Sequence, residues 1–233
     1  LLSIPIQIIL VYNLVQWLPV WLISIVLREG RHLSLALEIA VLLGIVGVIG
    51  FYLLQTDPAA MWRGYLGNIE PLLADRGVSD EQMQQILEMV PHYLTGVLAA
   101  STVFGLMLGL LLARWWQSVL YNPGGFRQEF LSLRIQPVLT LGSFVVIASA
   151  IILNGIIAEV TWNIAILLFV LYTFIGIAVV HVLISSMNAR FILLPVFYVM
   201  IFLMPHMLLP LVIIGLADTW LNLRNKVTNQ SSA

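Results

Sequence analysis

Long apolar runs constrain this chain more than any motif does. Seven such runs fill most of its 233 residues, and those at 39–54, 94–112 and 164–180 carry no charged side chain. Hydrophobic residues make up 61% of the chain and charged residues 9%, which leaves too little polar surface for a water-soluble fold of this size. A segment in hydrocarbon must satisfy its own backbone hydrogen bonds, so the runs predict an all-α, polytopic transmembrane helical bundle.

Several classes of function are not supported by the sequence. The net charge of −1 offers no basic surface for nucleic acid, and the lack of cysteine excludes disulfides and thiolate chemistry. There is no HExxH, GxSxG or P-loop motif, and the four histidines fall on different segments without metal-ligand spacing. We therefore predict no enzyme activity, no cofactor and no metal, with an intramembrane hydrolase as the weakest alternative.

Charge and proline positions divide the chain into about six to seven spans. The first five are predicted at about 2–27, 33–54, 92–113, 137–154 and 160–186. The stretch 191–223 is too long for one straight span of ~20 residues and has Pro205 in its middle. We predict two short helices, 189–204 and 206–223, with one long kinked helix as the alternative. One transmembrane domain, 1–227, is followed by a disordered tail, 228–233.

Basic residues in the short loops predict the orientation. If there are seven spans, all of these loop residues fall on one side: Arg28, Arg31, Arg114, Arg127, Arg134, Arg190, Arg224 and Lys226. That side should be cytoplasmic, which predicts a multi-pass protein of the bacterial inner membrane with a cytoplasmic C-terminus. The chain begins at Leu1 without Met or a Lys/Arg-led start, so we expect further helices upstream.

The polar stretch 55–91 is predicted to form an amphipathic outer loop. Asp57 before Pro58 has the pattern of a helix N-cap, and Ser79 with Gln82 has the pattern of a capping box. An apolar face of one short helix follows, made of Met83, Ile86, Leu87 and Val90. A surface helix and a lid over a pocket are both compatible with this pattern.

A few polar side chains lie within or near the predicted spans, where they are candidates for function. Asn13 and Gln16 share a helix face, which indicates either interhelical hydrogen bonds or the lining of a polar cavity. Glu38 is expected to pair with Arg28 or Arg31 or to snorkel, and Asp218 to pair with Arg224 or another inner-face arginine. Glu159 is expected to lie among outer headgroups and face water. The predicted solute-binding residues are Gln7, Asn13, Gln16, Glu159 and Asn163.

Small residues predict where helices pack. Ser101, Gly105 and Gly109 recur every four residues on one span, and Gly44, Gly47 and Gly50 recur every three on another. Such stripes allow backbones to approach closely.

Two strings resemble a known family. They are ARWWQSVLYNPGGFRQEFLSLRI at 113–135, within the predicted inner loop 114–136, and GLADTWLNLR at 215–224. With the alternation of spans, they resemble the YybS-like family of bacterial inner-membrane proteins, whose usual N-terminal helices we expect upstream of Leu1. That family has no established activity. Its architecture is similar to the substrate-binding S components of energy-coupling-factor vitamin transporters.

The resemblance implies a small-solute-binding or transport component in the lipid bilayer that works with a separate ATP-driven protein. The alternative is a membrane scaffold or regulatory partner of cell-envelope or signalling proteins, with no solute. Its contact surface would be the inner-loop turn: Asn122, Pro123, Gly124, Gly125, Phe126 and Arg127.

Overall fold

A computed structural model describes residues 17–28 and 32–224, and the regular elements in these ranges are all helical. The prediction of an all-α protein is therefore confirmed. Gln7, Asn13, Gln16 and the predicted tail lie outside the described residues. The helices are α1 (Trp17–Arg28), α2 (Leu33–Leu54), α3 (Pro58–Ala74), α4 (Asp80–Met89), α5 (Pro91–Tyr121), α6 (Gly125–Leu131), α7 (Pro137–Ile152), α8 (Gly155–Ser185), α9 (Arg190–Leu203) and α10 (Leu208–Leu221), with a 3-10 turn at Pro205–Met207.

Helix α8 lies at the centre of the bundle. It packs against α2, α5, α7 and α10. Half of its apolar stretch is buried, against 28% for those of α2 and α5. Its fully buried side chains include Leu167, Leu171, Tyr172, Ile175 and Val179. A helix that is apolar all round is stable only when other helices cover it, so α8 organises the hydrophobic core.

Three helices, α2, α5 and α8, are long and apolar enough to cross a membrane. Helix α9 and the segment Pro205–Leu221 pass the same test together and would add a fourth span. Helices α1 and α7 are apolar but shorter than the ~20 residues that span a bilayer. These helices indicate a membrane protein. The described residues contain three to four candidate spans, and the larger number of six to seven stays a prediction.

The predicted break at Pro205 is confirmed. Helices α9 and α10 are bent by 111° relative to each other, so they do not form one kinked helix. Each has 14 residues, or about 21 Å at 1.5 Å per residue, which is less than a ~30 Å hydrocarbon core. The pair is therefore a broken span or a re-entrant hairpin.

Glycines let α10 lie directly against α8. A Cβ atom added to Gly215 would lie 2.3 Å from the carbonyl oxygen of Tyr172, and one added to Gly176 would lie 2.0 Å from that of Leu211. Any larger residue would push the two backbones apart.

The glycines predicted to pack helices have different surroundings. A Cβ on Gly44 would meet Val103 at 2.7 Å and Leu167 at 2.9 Å, so Gly44 lies at a tight contact between α2, α5 and α8. No described atom lies within 4 Å of a Cβ built on Gly47, Gly50, Gly105 or Gly109. The exposed Ser101 hydroxyl donates to the carbonyl of Val97 in its own helix. The stripe of α5 is thus open within the described part of the chain.

The two ends of the bundle have different structures. At the α4 end, where α2 ends and α5 and α8 begin, the loop 55–91 forms α3 and α4. Asp57 caps α3 and Ser79 with Gln82 forms a capping box, as predicted. At the opposite, α6 end, the segment 114–136 is mostly helical: α5 continues to Tyr121, and α6 follows after a short turn.

Candidate functional site

A polar cluster joins α2, α5 and α8 at the α4 end. The Glu159 carboxylate accepts a hydrogen bond from the Tyr52 hydroxyl at 2.7 Å, and its second oxygen lies 2.6 Å from Nδ1 of His92. The side chain of Glu159 is only 15% exposed. Glu159 is thus held between two helices, and the prediction that it faces water is wrong, because α8 begins earlier than expected, at Gly155.

Asn163 connects α8 to α5 through the backbone. Its fully buried amide accepts from the N–H of Gly96 at 2.5 Å and donates to the carbonyl of His92 at 2.7 Å. These two backbone groups are four residues apart, which is the spacing of a hydrogen-bonded pair within an α-helix. The Asn163 amide therefore contacts both members of one such pair in α5. It also lies within hydrogen-bond distance of the Tyr52 hydroxyl and the Glu159 carbonyl.

This cluster brings together the two predicted solute-binding residues within the described chain, Glu159 and Asn163. Their polar atoms bond to protein groups: both carboxylate oxygens of Glu159 and the amide oxygen and nitrogen of Asn163 have partners. Nearby, the Trp62 indole donates to the Thr95 hydroxyl at 2.8 Å and ties α3 to α5. The cluster therefore holds helices together and leaves little polar capacity for a ligand.

A second polar network holds the end of α6 and the non-helical segment 132–136 that follows it. Arg224 forms a buried ion pair with Asp218 at 2.6 Å and donates to the carbonyls of Leu131 and Leu133, both at 2.6 Å. The pairing of Asp218 with Arg224 is as predicted. Glu38 accepts from the backbone N–H of Gln136 at 2.8 Å, so it contacts this segment and not Arg28. Buried carbonyl and N–H groups outside a helix need such partners.

A cavity of about 930 Å³ lies between α1, α5 and α6. Its wall along α5 begins with the open glycines Gly105 and Gly109, and Val20 and Ile23 of α1 face the same space. Toward the α6 end the lining becomes mostly polar and includes Arg28, Arg114, Gln117, Ser118, Asn122 and Glu129. The cavity is thus apolar at one end and charged at the other.

An ion pair and a hydroxyl shape the polar end of this cavity. Arg114 makes two hydrogen bonds to the Glu129 carboxylate and a third to Gln117 at 2.6 Å. The buried Ser118 hydroxyl donates to the Asn122 carbonyl at 2.7 Å and accepts from the N–H of Phe126 at 2.9 Å, which fixes α6 against the end of α5. Both contacts are local, because each joins α5 to the turn or helix that follows it.

The predicted partner-contact turn forms part of the same region. Asn122, Gly125 and Phe126 line the cavity. Gly124 adopts a positive φ of 88°, which glycine tolerates and which lets the chain reverse into α6. Gly124 and Arg127 line a smaller cavity of about 400 Å³, beside His181 and Tyr198, whose side chains are 2.8 Å apart. Pro123 lies in the turn before α6.

Sequence reasoning missed the cavity. It assigned Gly105 and Gly109 to helix packing and Arg28 to an ion pair with Glu38. The signal available in the sequence was the change along α5 from small apolar residues to the run Arg114–Gln117–Ser118. The cavity itself depends on where α1 and α6 lie.

Comparisons with protein families, curated proteins and solved structures find no match to this chain. Within residues 17–28 and 32–224, no group of three His, Cys, Asp or Glu side chains is placed to hold a metal ion.

Proposed function

We propose that this chain is a multi-pass membrane protein that binds a small molecule in the cavity between α1, α5 and α6. The cavity carries this proposal because its volume of about 930 Å³ lies in the range of small-molecule sites, ~300–1,000 Å³. Its lining also combines apolar walls with a few polar groups, as such sites do. The Glu159–Asn163 cluster supports it less well, because its polar atoms are bonded to the protein.

The arginine distribution supports an orientation. Arg114, Arg127, Arg134, Arg190 and Arg224 all belong to the α6 end, so the proposed cytoplasmic side is that end and the cavity lies near it. We retain six to seven spans and membership of the YybS-like family as parts of the proposal. Since the sequence has no P-loop, any energised movement of the solute would need a separate ATP-driven protein.

A scaffold is the second candidate, and one observation favours it. Helix α5 has 31 residues, or about 46 Å, so it is longer than a ~30 Å hydrocarbon core and extends beyond it. Its last residues, Leu120 and Tyr121, are 73% and 82% exposed. In this reading, the exposed end of α5 and the following turn contact another protein.

Native mass spectrometry of the full chain, gently extracted from its own membrane, tests the first candidate. Gly109→Leu fills the cavity without a backbone clash, because no described atom lies within 4 Å of the new Cβ. Gly47→Leu is the matched control, since Gly47 is equally open but lies on α2, outside the cavity. We expect a small molecule on the unmodified protein and on Gly47→Leu that is lost from Gly109→Leu. If no variant carries a small molecule and all carry a stoichiometric protein, the scaffold replaces this proposal.

A further inference from the structure

We propose that the cavity between α1, α5 and α6 binds an amphiphile with one hydrocarbon chain and an anionic headgroup, such as an alkyl or prenyl phosphate. This inference rests on the solute-binding function proposed above and assigns its ligand class. Three observations lead to it: the polarity gradient of the lining, the length of each half, and the charge at the polar end.

The polarity of the lining changes along α5. From Gly105 to Ala113 the α5 residues that line the cavity are glycine, leucine and alanine. From Arg114 to Asn122 they are an arginine, a glutamine, a serine, a tyrosine and an asparagine. On helix α1, Val20 and Ile23 come first, Ser24 and Leu27 follow, and Arg28 lies at the end near α6. A compact polar solute would need polar groups that converge around it, whereas this gradient fits a molecule with a hydrocarbon chain and a polar head.

The dimensions fit one chain in one leaflet. At 1.5 Å per residue, the α5 lining from Gly105 to Asn122 extends about 25 Å, and its apolar half about 12 Å. Half of a ~30 Å hydrocarbon core is about 15 Å, so the apolar half matches the depth that one lipid chain occupies. The cavity volume of about 930 Å³ is large enough for one hydrocarbon chain with its headgroup.

The charge of the polar end fits an anion. Glu129 is paired with Arg114 through two hydrogen bonds, so these two charges compensate each other. Arg28 also lines the cavity and has no hydrogen-bond or ion-pair partner within the described ranges. Two arginines and one glutamate leave the lining with one net positive charge. Arg28 is exposed, so its guanidinium is accessible to an anionic headgroup, with which it would form a charge-assisted hydrogen bond.

Binding of defined amphiphiles tests the inference. The full chain is reconstituted in phosphatidylcholine nanodiscs and titrated separately with dodecyl phosphate, dodecyl maltoside, inorganic phosphate and a two-chain phosphatidic acid, and the complexes are counted by native mass spectrometry. We expect dodecyl phosphate to bind with one-to-one stoichiometry and at least about tenfold more tightly than dodecyl maltoside, which lacks the charge, or inorganic phosphate, which lacks the chain. Equal binding of dodecyl phosphate and dodecyl maltoside would overturn the anionic headgroup. Tighter binding of a two-chain phosphatidic acid would overturn the single chain.

Two pairs of variants separate the cavity from general surface attraction. Arg28→Gln should weaken the binding of dodecyl phosphate about tenfold, whereas Arg190→Gln, which removes the same charge from an exposed site outside both cavities, should not. Gly109→Leu should weaken the binding as well, and Gly47→Leu should not. Equal effects of Arg28→Gln and Arg190→Gln would show that the binding is general surface attraction and would refute the site.

The same measurements separate the two proposals. A native small molecule that is lost in Gly109→Leu, but that dodecyl phosphate does not displace, would refute the amphiphile and leave the solute-binding function in place. If Gly109→Leu changes neither the native molecule nor the probe, both proposals fail.

Discussion

Replacing Asn163 with leucine should loosen the contact between α5 and α8. The two side chains have the same number of heavy atoms in the same branched arrangement, so the substitution removes hydrogen bonds and leaves no cavity. Three of those bonds reach other helices: to the Gly96 N–H at 2.5 Å, the His92 carbonyl at 2.7 Å and the Tyr52 hydroxyl at 3.1 Å. Interhelical hydrogen bonds in membranes average ~0.6 kcal/mol, and those in soluble proteins ~1 kcal/mol. The free energy of unfolding should therefore fall by about 2–3 kcal/mol.

Reversible unfolding by SDS in mixed micelles, followed by far-UV circular dichroism, measures this change. Asn154→Leu is the matched control, because Asn154 is exposed and its side chain makes no capping hydrogen bond. The control should change the free energy of unfolding by less than about 0.5 kcal/mol. If Asn163→Leu is no more destabilising than Asn154→Leu, the amide does not hold the two helices together. A double-mutant cycle with Tyr52→Phe should also give a coupling of at least about 0.5 kcal/mol.

Two further predictions concern the α6 end and the orientation. Arg224→Met should lower the free energy of unfolding by about 3–5 kcal/mol, because it leaves the Asp218 carboxylate buried without its partner, and adding Asp218→Asn should recover part of that loss. In the same SDS assay, an effect no larger than that of Arg127→Met would show that the buried pair is not stabilising. The chain has no cysteine, so Asp75→Cys and Ser186→Cys can each be labelled alone with a membrane-impermeant maleimide. We expect Asp75→Cys to react in intact cells and Ser186→Cys only after permeabilisation, and the reverse pattern would refute the proposed orientation.

Features that depend on neighbouring residues could be predicted from the sequence. The bounds of α2, the capping box at Ser79, the break at Pro205 and the pairing of Asp218 with Arg224 all follow from signals within a few residues. Helix α5 was predicted too short, to residue 113, because the apolar run ends there. A helix that extends into the aqueous phase keeps its backbone hydrogen bonds without an apolar sequence, so hydropathy does not mark its end.

Features that depend on distant residues could not be predicted. Tyr52, His92 and Glu159 come together from three helices, and the first and last are 107 residues apart in the chain. Glu38 contacts Gln136 from 98 residues away, although arginines lie much closer in sequence. The cavity is harder still to predict, because it is a space between α1, α5 and α6 whose existence depends on the positions of all three helices.

The central place of α8 determines the order in which this protein can be assembled during synthesis. Residues 33–154 are synthesised before α8, so the helices that they form lack the Asn163 hydrogen bonds to Gly96 and His92 until α8 has been made. Helices α9 and α10 are synthesised after α8, and each is shorter than the hydrocarbon core. We expect them to be stabilised by an α8 that is already in place, because Gly215 packs directly against α8 beside Gly176. Insertion of α8 is therefore the step that joins the helices made before it to those made after it in one bundle.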